Sequence, residues 1–167
     1  VEAINRRKTD GVFRMAVDRI FTAPGHGTII TGIASSGTVR VGDFVEILPL
    51  GKTGRVRGLQ VFLSDSQEAV AGQCVALNLT SIHPSEVERG FVAAAPGRFR
   101  AYESFTVFLK ASRFLETYLS NTARIHFHTG ASEAVGKIRL LEDDRLEPGK
   151  ETFAQIVVEK PVCAFIR

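Results

Sequence analysis

Asp18 and Arg19 stand where a strand should go on alternating. Phe13, Met15 and Val17 are apolar at every second position, with Arg14, Ala16 and Asp18 between them. Strict period-two geometry would therefore put Arg19 on the apolar face. A guanidinium buried without a partner is costly, so the strand is expected to bulge or bend here and leave Arg19 at the surface beside Asp18. Two readings of the pair stay open: a local ion pair on an exposed strand, or a recognition site. A second constellation is Arg124, His126 and His128, spaced two apart and so on one face of a strand. Two imidazoles at that spacing can ligate a metal, but no third ligand is evident and no metal site is expected. The other readings are a solvated strand face and a stripe that contacts RNA phosphates, which Lys137 and Arg139 would extend by the same period.

No catalytic constellation emerges, and no catalytic residue is assigned. The phosphate-binding pattern G-x-x-x-x-G-K-[ST] is absent, so these residues are not expected to hydrolyse a nucleotide. Gly25-His26-Gly27 precedes a β run and lacks the following Lys-Ser/Thr, which makes it a hairpin turn in place of a phosphate cradle. No G-x-S-x-G elbow is present. Cys74 and Cys163 have neither Cys-x-x-Cys nor zinc spacing; two buried reduced thiols are expected, which fits a cytoplasmic protein.

The elements that must position these residues are short β segments. Turn residues recur roughly every eight to twelve positions, a rhythm of barrels and sandwiches. Strands are predicted at Phe13–Phe21, Thr28–Ile33, Phe44–Leu48, Arg55–Phe62 and Cys74–Leu79, with Gly51–Gly54 as a turn. One short helical turn, capped by Ser85 and stopped by Gly90, is predicted in His83–Gly90, and Ser112–Leu119 reads as a loop. The pattern restarts after Pro96-Gly97 with strands at Glu103–Lys110, Thr122–His128, Ala134–Glu142 and Glu151–Glu159. The fold class is all-β, with two small barrels at residues 1–97 and 98–167. The second is expected to be incomplete at its C-terminus, because Pro161–Arg167 looks like a strand cut short and closed barrels usually have about five or six strands.

The 167 residues carry 21 Lys and Arg against 18 Asp and Glu, a formal net charge of +3 with no charged run to serve as a binding arm. The hydrophobic share of 44% is enough for a packed core. Apolar runs fall short of the roughly 20 residues of a membrane-spanning helix, and Val1–Arg7 lacks the apolar stretch of a signal peptide, so no membrane association is expected. The missing initiator Met suggests a piece of a longer protein.

Several ordered motifs resemble domain II of the translational GTPases. They are Phe13-Arg14-Met15-Ala16-Val17-Asp18-Arg19-Ile20-Phe21, then Gly25-His26-Gly27-Thr28-Ile29-Ile30-Thr31-Gly32, then Gly37-Thr38-Val39-Arg40-Val41-Gly42-Asp43. Asp18-Arg19, the run Arg55–Val61 and Ala71-Gly72-Gln73-Cys74-Val75-Ala76-Leu77-Asn78-Leu79 are most similar to the selenocysteine-specific elongation factors. Glu147-Pro148-Gly149 and Phe153-Ala154-Gln155 resemble domain III of the same family. The resemblance implies two β-barrels that grip selenocysteinyl-tRNA, with ribosome delivery and a neighbouring GTPase domain as further partners. GTP and magnesium would belong to that domain, leaving no cofactor here. By position, Asp18 and Arg19 match residues of the aminoacyl pocket. Cys74 falls where the family usually carries a further arginine, so Arg19 is the pocket cation that the match assigns. Gln60 and Phe62 fall where domain II approaches the terminal adenosine. The competing expectations are domains II and III of another translational GTPase, and a β-barrel module that binds only protein.

Overall fold

A computed structural model describes residues 10–164, His26 excepted. The sequence readings at Val1–Arg7, at His26 and at Phe165–Arg167 lie outside the described residues. The chain divides into two compact units, one formed by the described residues up to Ala101 with Gly130–Ser132, the other built from Tyr102–Thr129 and Glu133–Ala164. The division follows closely on the Pro96-Gly97 turn.

The first unit contains β1 (Arg14–Ala23), β2 (Gly27–Ser36), β3 (Thr38–Arg40), β4 (Phe44–Leu48) and β5 (Lys52–Val61). After them come β6 (Ser64–Ser66), β7 (Glu68–Val70), β8 (Cys74–Leu79), a 3-10 turn at Pro84–Glu86 and β9 (Val92–Ala94). Strands β4, β9, β1, β2, β8 and β5 are hydrogen-bonded in that order and β5 pairs back with β4, so six strands close into a barrel. Strand β6 extends the β5 edge, and β3 pairs with β7 as a separate ribbon. Alternate residues fill the interior, among them Met15, Val17, Ile30, Ile47, Val56, Val75 and Leu77. The one polar side chain buried in this unit, among the described residues, is Thr28. Its Oγ1 donates to the Ile82 carbonyl at 2.6 Å, which satisfies the hydroxyl and ties down the loop after β8.

Three local expectations change. The turn between β4 and β5 ends at Gly51, whose N–H donates to the Ile47 carbonyl at 2.8 Å with φ at 71°, and Lys52–Gly54 already belong to β5. The short turn after Ile82 is capped by His83, not by Ser85. The His83 Nδ1 accepts from the Ser85 N–H at 3.4 Å, and the Glu86 carboxylate accepts from the His83 N–H at 3.0 Å. This turn ends at Glu86, well before Gly90. Lys52 also hydrogen-bonds Glu86, and that bond is the main reason its carboxyl sits below the ordinary range.

The second unit contains β10 (Tyr102–Lys110), β11 (Leu119–Ser120), β12 (Arg124–Thr129), β13 (Ser132–Leu140), β14 (Arg145–Leu146) and β15 (Glu151–Val162). A four-stranded sheet runs β10-β15-β13-β12, and β11 pairs with β14 as a ribbon that adds Leu119 and Leu146 to the core. That core also includes Ile138, Leu140, Ala154, Ile156 and Val158. Strand β12 begins later than predicted because Thr122 takes φ 65°, a turn conformation, while Asn121 Oδ1 accepts from the Leu140 N–H at 3.0 Å. Leu119, expected in a loop, lies in β11. Cys163 is buried but Cys74 is exposed, and no disulfide joins them.

Candidate functional site

The pairing of β1 with β2 slips between Val17 and Arg19: Val17 lies opposite Gly32 and Arg19 opposite Thr31, leaving Asp18 as the extra residue of a bulge. Before the bulge Phe13, Met15 and Val17 point inward; beyond it Ile20 takes up the packing against the core. Asp18 and Arg19 are both turned outward, and the Arg19 side chain is 81% exposed. Opposite the bulge the backbones approach closely. A Cβ on Gly32 would sit 2.1 Å from the Ala16 carbonyl oxygen and 3.0 Å from Met15 Cγ, so only glycine fits.

The Asp18 carboxylate faces two guanidiniums. Its Oδ2 lies 3.8 Å from Arg19 Nε and its Oδ1 lies 3.3 Å from Arg89 Nε. Arg89 is brought there by the chain after the 3-10 turn, which docks against the bulge. The Val17 N–H donates to the Phe91 carbonyl and the Gly90 N–H donates to the Val17 carbonyl, both at 2.8 Å.

Register then aligns the other candidates of the first unit. Arg19 lies opposite Thr31, Thr31 opposite Ala76 and Ala76 opposite Gln60, so one outward row runs across β1, β2, β8 and β5. At about 4.8 Å per strand step, Arg19 and Gln60 are roughly 14 Å apart along this row. The neighbouring outward row carries Ala16, Ile33 and Cys74. Phe62 continues it: its N–H donates to the Cys74 carbonyl at 3.1 Å, it takes φ 48°, and its side chain stands exposed. Asp18, Arg19, Cys74, Gln60 and Phe62 thus share one outer face of the barrel.

On the other side of the Arg19 row, Phe21, Ile29, Asn78 and Gly58 are register neighbours and line a groove of about 340 Å³ together with Gln60 and Asp65. Gln60 Nε2 donates to Asp65 Oδ1 at 2.9 Å. Asn78 Oδ1 is buried and has no hydrogen-bond partner among the described residues, which leaves an acceptor for a ligand's N–H. The groove therefore offers apolar walls, an unsatisfied acceptor beneath its surface and a carboxamide–carboxylate pair, which suits a flat heterocycle carrying an amine. Phe62, Cys74, Asp18 and Arg19 do not line it.

In the second unit Arg124, His126 and His128 share the outward face of β12, as their spacing requires. Carboxylates are interleaved with them: Arg124 lies 3.6 Å from Glu159, and His126 Nδ1 lies 2.8 Å from Glu133. The hydrogen bond from His126, then the charge of His128, holds the Glu133 carboxyl below its usual range. The face is thus one of mixed charge. No group of three or more His, Cys, Asp or Glu among the described residues could hold a metal ion. Lys137 and Arg139 are exposed on β13, opposite Val157 and Gln155 of β15.

Sequence reading missed Arg89, Asp65 and Asn78. Asp65 and Asn78 lie within or beside strands already marked, but only register shows that they converge. Arg89 reaches the bulge through tertiary docking that no local spacing reports.

The closed six-stranded barrel coincides with a match to a domain of translation factors. Residues 27–94 match the family Elongation factor Tu domain 2, and residues 104–166 match the family Selenocysteine-specific elongation factor, beta-barrel domain. A selenocysteine-specific elongation factor from Desulfomicrobium baculatum is 37% identical over 156 residues, covering 93% of this chain and 24% of that protein. Another from Haemophilus influenzae is 31% identical over 155 residues, covering 92% of this chain and 24% of that protein. The chain belongs to the selenocysteine-specific elongation factor family, and it spans about a quarter of the length of these relatives. No helix among the described residues is long and apolar enough to cross a membrane.

Proposed function

We propose that the first unit holds the 3′ end and aminoacyl group of selenocysteinyl-tRNA for delivery to the ribosome, while the second unit leans on the acceptor and T stems. The observation that carries this reading is the single outward face on which register gathers Arg19, Cys74 and Gln60, and the Phe62–Cys74 hydrogen bond adds Phe62, beside the groove with the unsatisfied Asn78 acceptor. The terminal adenine lies in the groove, its amine donating to Asn78 Oδ1. The aminoacyl group extends along the Gln60–Arg19 row towards the bulge. A selenol is largely ionised at neutral pH whereas a serine hydroxyl is not, so the Arg19 cation favours the selenolate. These residues carry out no catalysis and bind no GTP of their own; GTP and magnesium belong to a GTPase domain that works with them in the cytoplasm.

Binding of selenocysteinyl-tRNA, deacylated tRNA and seryl-tRNA to the chain as its gene encodes it, flanking sequence included, tests the reading. The expected order is tightest for selenocysteinyl-tRNA. The variant Asn78→Leu, which removes the acceptor, should weaken all three forms alike because each ends in the same adenosine. Equal affinity for the three tRNAs with wild-type protein, or no binding at all, would overturn the proposal.

A further inference from the structure

We propose that Arg89 is a second cation of the aminoacyl site and a specificity-determining residue for the anionic side chain, held there by Asp18. This rests on the reading above, in which the aminoacyl group lies at the bulge. Asp18 is the extra residue of the β1 bulge, and its two carboxylate oxygens each face a different guanidinium, Arg19 at 3.8 Å and Arg89 at 3.3 Å. Two cations against one carboxylate leave this point of the face positively charged. The three side chains are largely solvent-exposed, at 81%, 71% and 48% for Arg19, Arg89 and Asp18. Exposed pairs of this kind contribute little to folding. The arrangement is better understood as a prepared anion site.

Two features make it prepared. Val17, just before the bulge, bonds through both its N–H and its carbonyl to the segment that carries Arg89. The Arg89 backbone is therefore fixed relative to Arg19 although the two are distant in sequence. In addition, each arginine meets the carboxylate through Nε. That leaves the Nη donors of both guanidiniums for an incoming anion. Cys74, one row away on β8, is a thiol and adds no cation of its own.

The ligand chemistry is an anionic group, and it has two possible sources: the selenolate of the aminoacyl end, to which we assign it, or a phosphate of the tRNA. They separate by experiment. Dissociation constants are measured for selenocysteinyl-tRNA and seryl-tRNA on one tRNA body, using wild type, Arg89→Gln, Arg89→Lys and Arg19→Gln of the chain with its flanking sequence. Loss of one charged hydrogen bond should cut the selenocysteinyl preference roughly tenfold in Arg89→Gln while seryl-tRNA binding changes little. Arg89→Lys should restore part of that preference, since it keeps the charge but loses the fork. Equal weakening of both tRNAs by Arg89→Gln would mean a phosphate contact and would overturn the assignment, as would an unchanged preference in a folded variant. Wild-type protein without any preference would instead count against the proposed function itself. If Arg89→Gln fails to fold, the Arg89→Lys comparison decides: a preference identical to wild type overturns the fork-based role.

Discussion

Gly32 shows how closely single residues are constrained around the site. It lies opposite Val17, at the point where the bulge begins, and a Cβ there would meet the Ala16 carbonyl oxygen at 2.1 Å. Gly32→Ala should therefore cost about 3 kcal/mol or more, the upper end for overpacking, because backbone must move. Urea unfolding checks this, and a loss below about 0.5 kcal/mol would show that the strands are not so close. Arg19 makes a different prediction, since its exposed side chain supports little of the fold. Arg19→Ala should leave stability unchanged within experimental error yet reduce discrimination between selenocysteinyl-tRNA and seryl-tRNA. A companion Cys74→Arg should preserve or sharpen discrimination, because it adds a cation on the neighbouring row of the same face. A loss of discrimination in that variant would mean that Cys74 does not correspond to the arginine position of the family.

Strands β12 and β13 carry a pH-dependent element. Glu133 has an ordinary value of 4.5, and in the folded chain it lies lower because it accepts from His126 and feels the charge of His128. A depressed carboxylate stabilises the fold above its unfolded value, and that contribution is lost as pH falls through the folded value. The melting temperature of wild type should therefore exceed that of His126→Ala just above the ordinary value of 4.5 and converge with it as the pH is lowered below that value. A gap that stays constant across that range would remove the ionic explanation.

The same elements show what was legible in the sequence. The long strands were readable from period-two alternation or, as at Thr28–Ile33, from an apolar run bounded by turn residues, because one face of most of them is turned to the core and the other to solvent. The bulge was readable too, since Arg19 could not go inward. The short strands β3, β6, β7 and β9 were not. Each has only three residues, too few for a period to show, and they exist through pairing with distant partners. The cap of the 3-10 turn was misread for a related reason. Ser85 is the commoner capping type, but His83 supplies the acceptor and Glu86 completes the reciprocal bond. Cys74 looked buried within an apolar run, although it occupies an outward position at the start of β8, beside the inward Val75.

Across the whole molecule, two hydrophobic cores lie in two units, and neither cluster contains residues of the other. Leu77, fully buried in the first, and Ile138, 2% exposed in the second, are suitable probes. Leu77→Ala and Ile138→Ala should each cost roughly 2–5 kcal/mol. Amide exchange should locate the first loss in the barrel and the second in the four-stranded sheet. Uniform loss of protection in both units from either change would show that they unfold as one body. The candidate functional face draws all its first-unit residues from the barrel, so Ile138→Ala should leave that face protected.

The slip in β1 also determines where the gene can lose a codon. Val17 points inward and Ile20 resumes inward packing, so two outward residues separate them where a regular strand needs one. Removal of Asp18 leaves Val17 in, Arg19 out and Ile20 in, with every later side chain on its original side. Removal of Ala16 or Ile20 reverses the strand on one side of the cut. The barrel should thus survive a single-residue deletion at Asp18, with the anion site stripped of its carboxylate but both arginines kept. Soluble expression and a cooperative melt for the Asp18 deletion, against failure of the Ile20 deletion, would mark this position as the one at which strand β1 can change length without exchanging its inside for its outside.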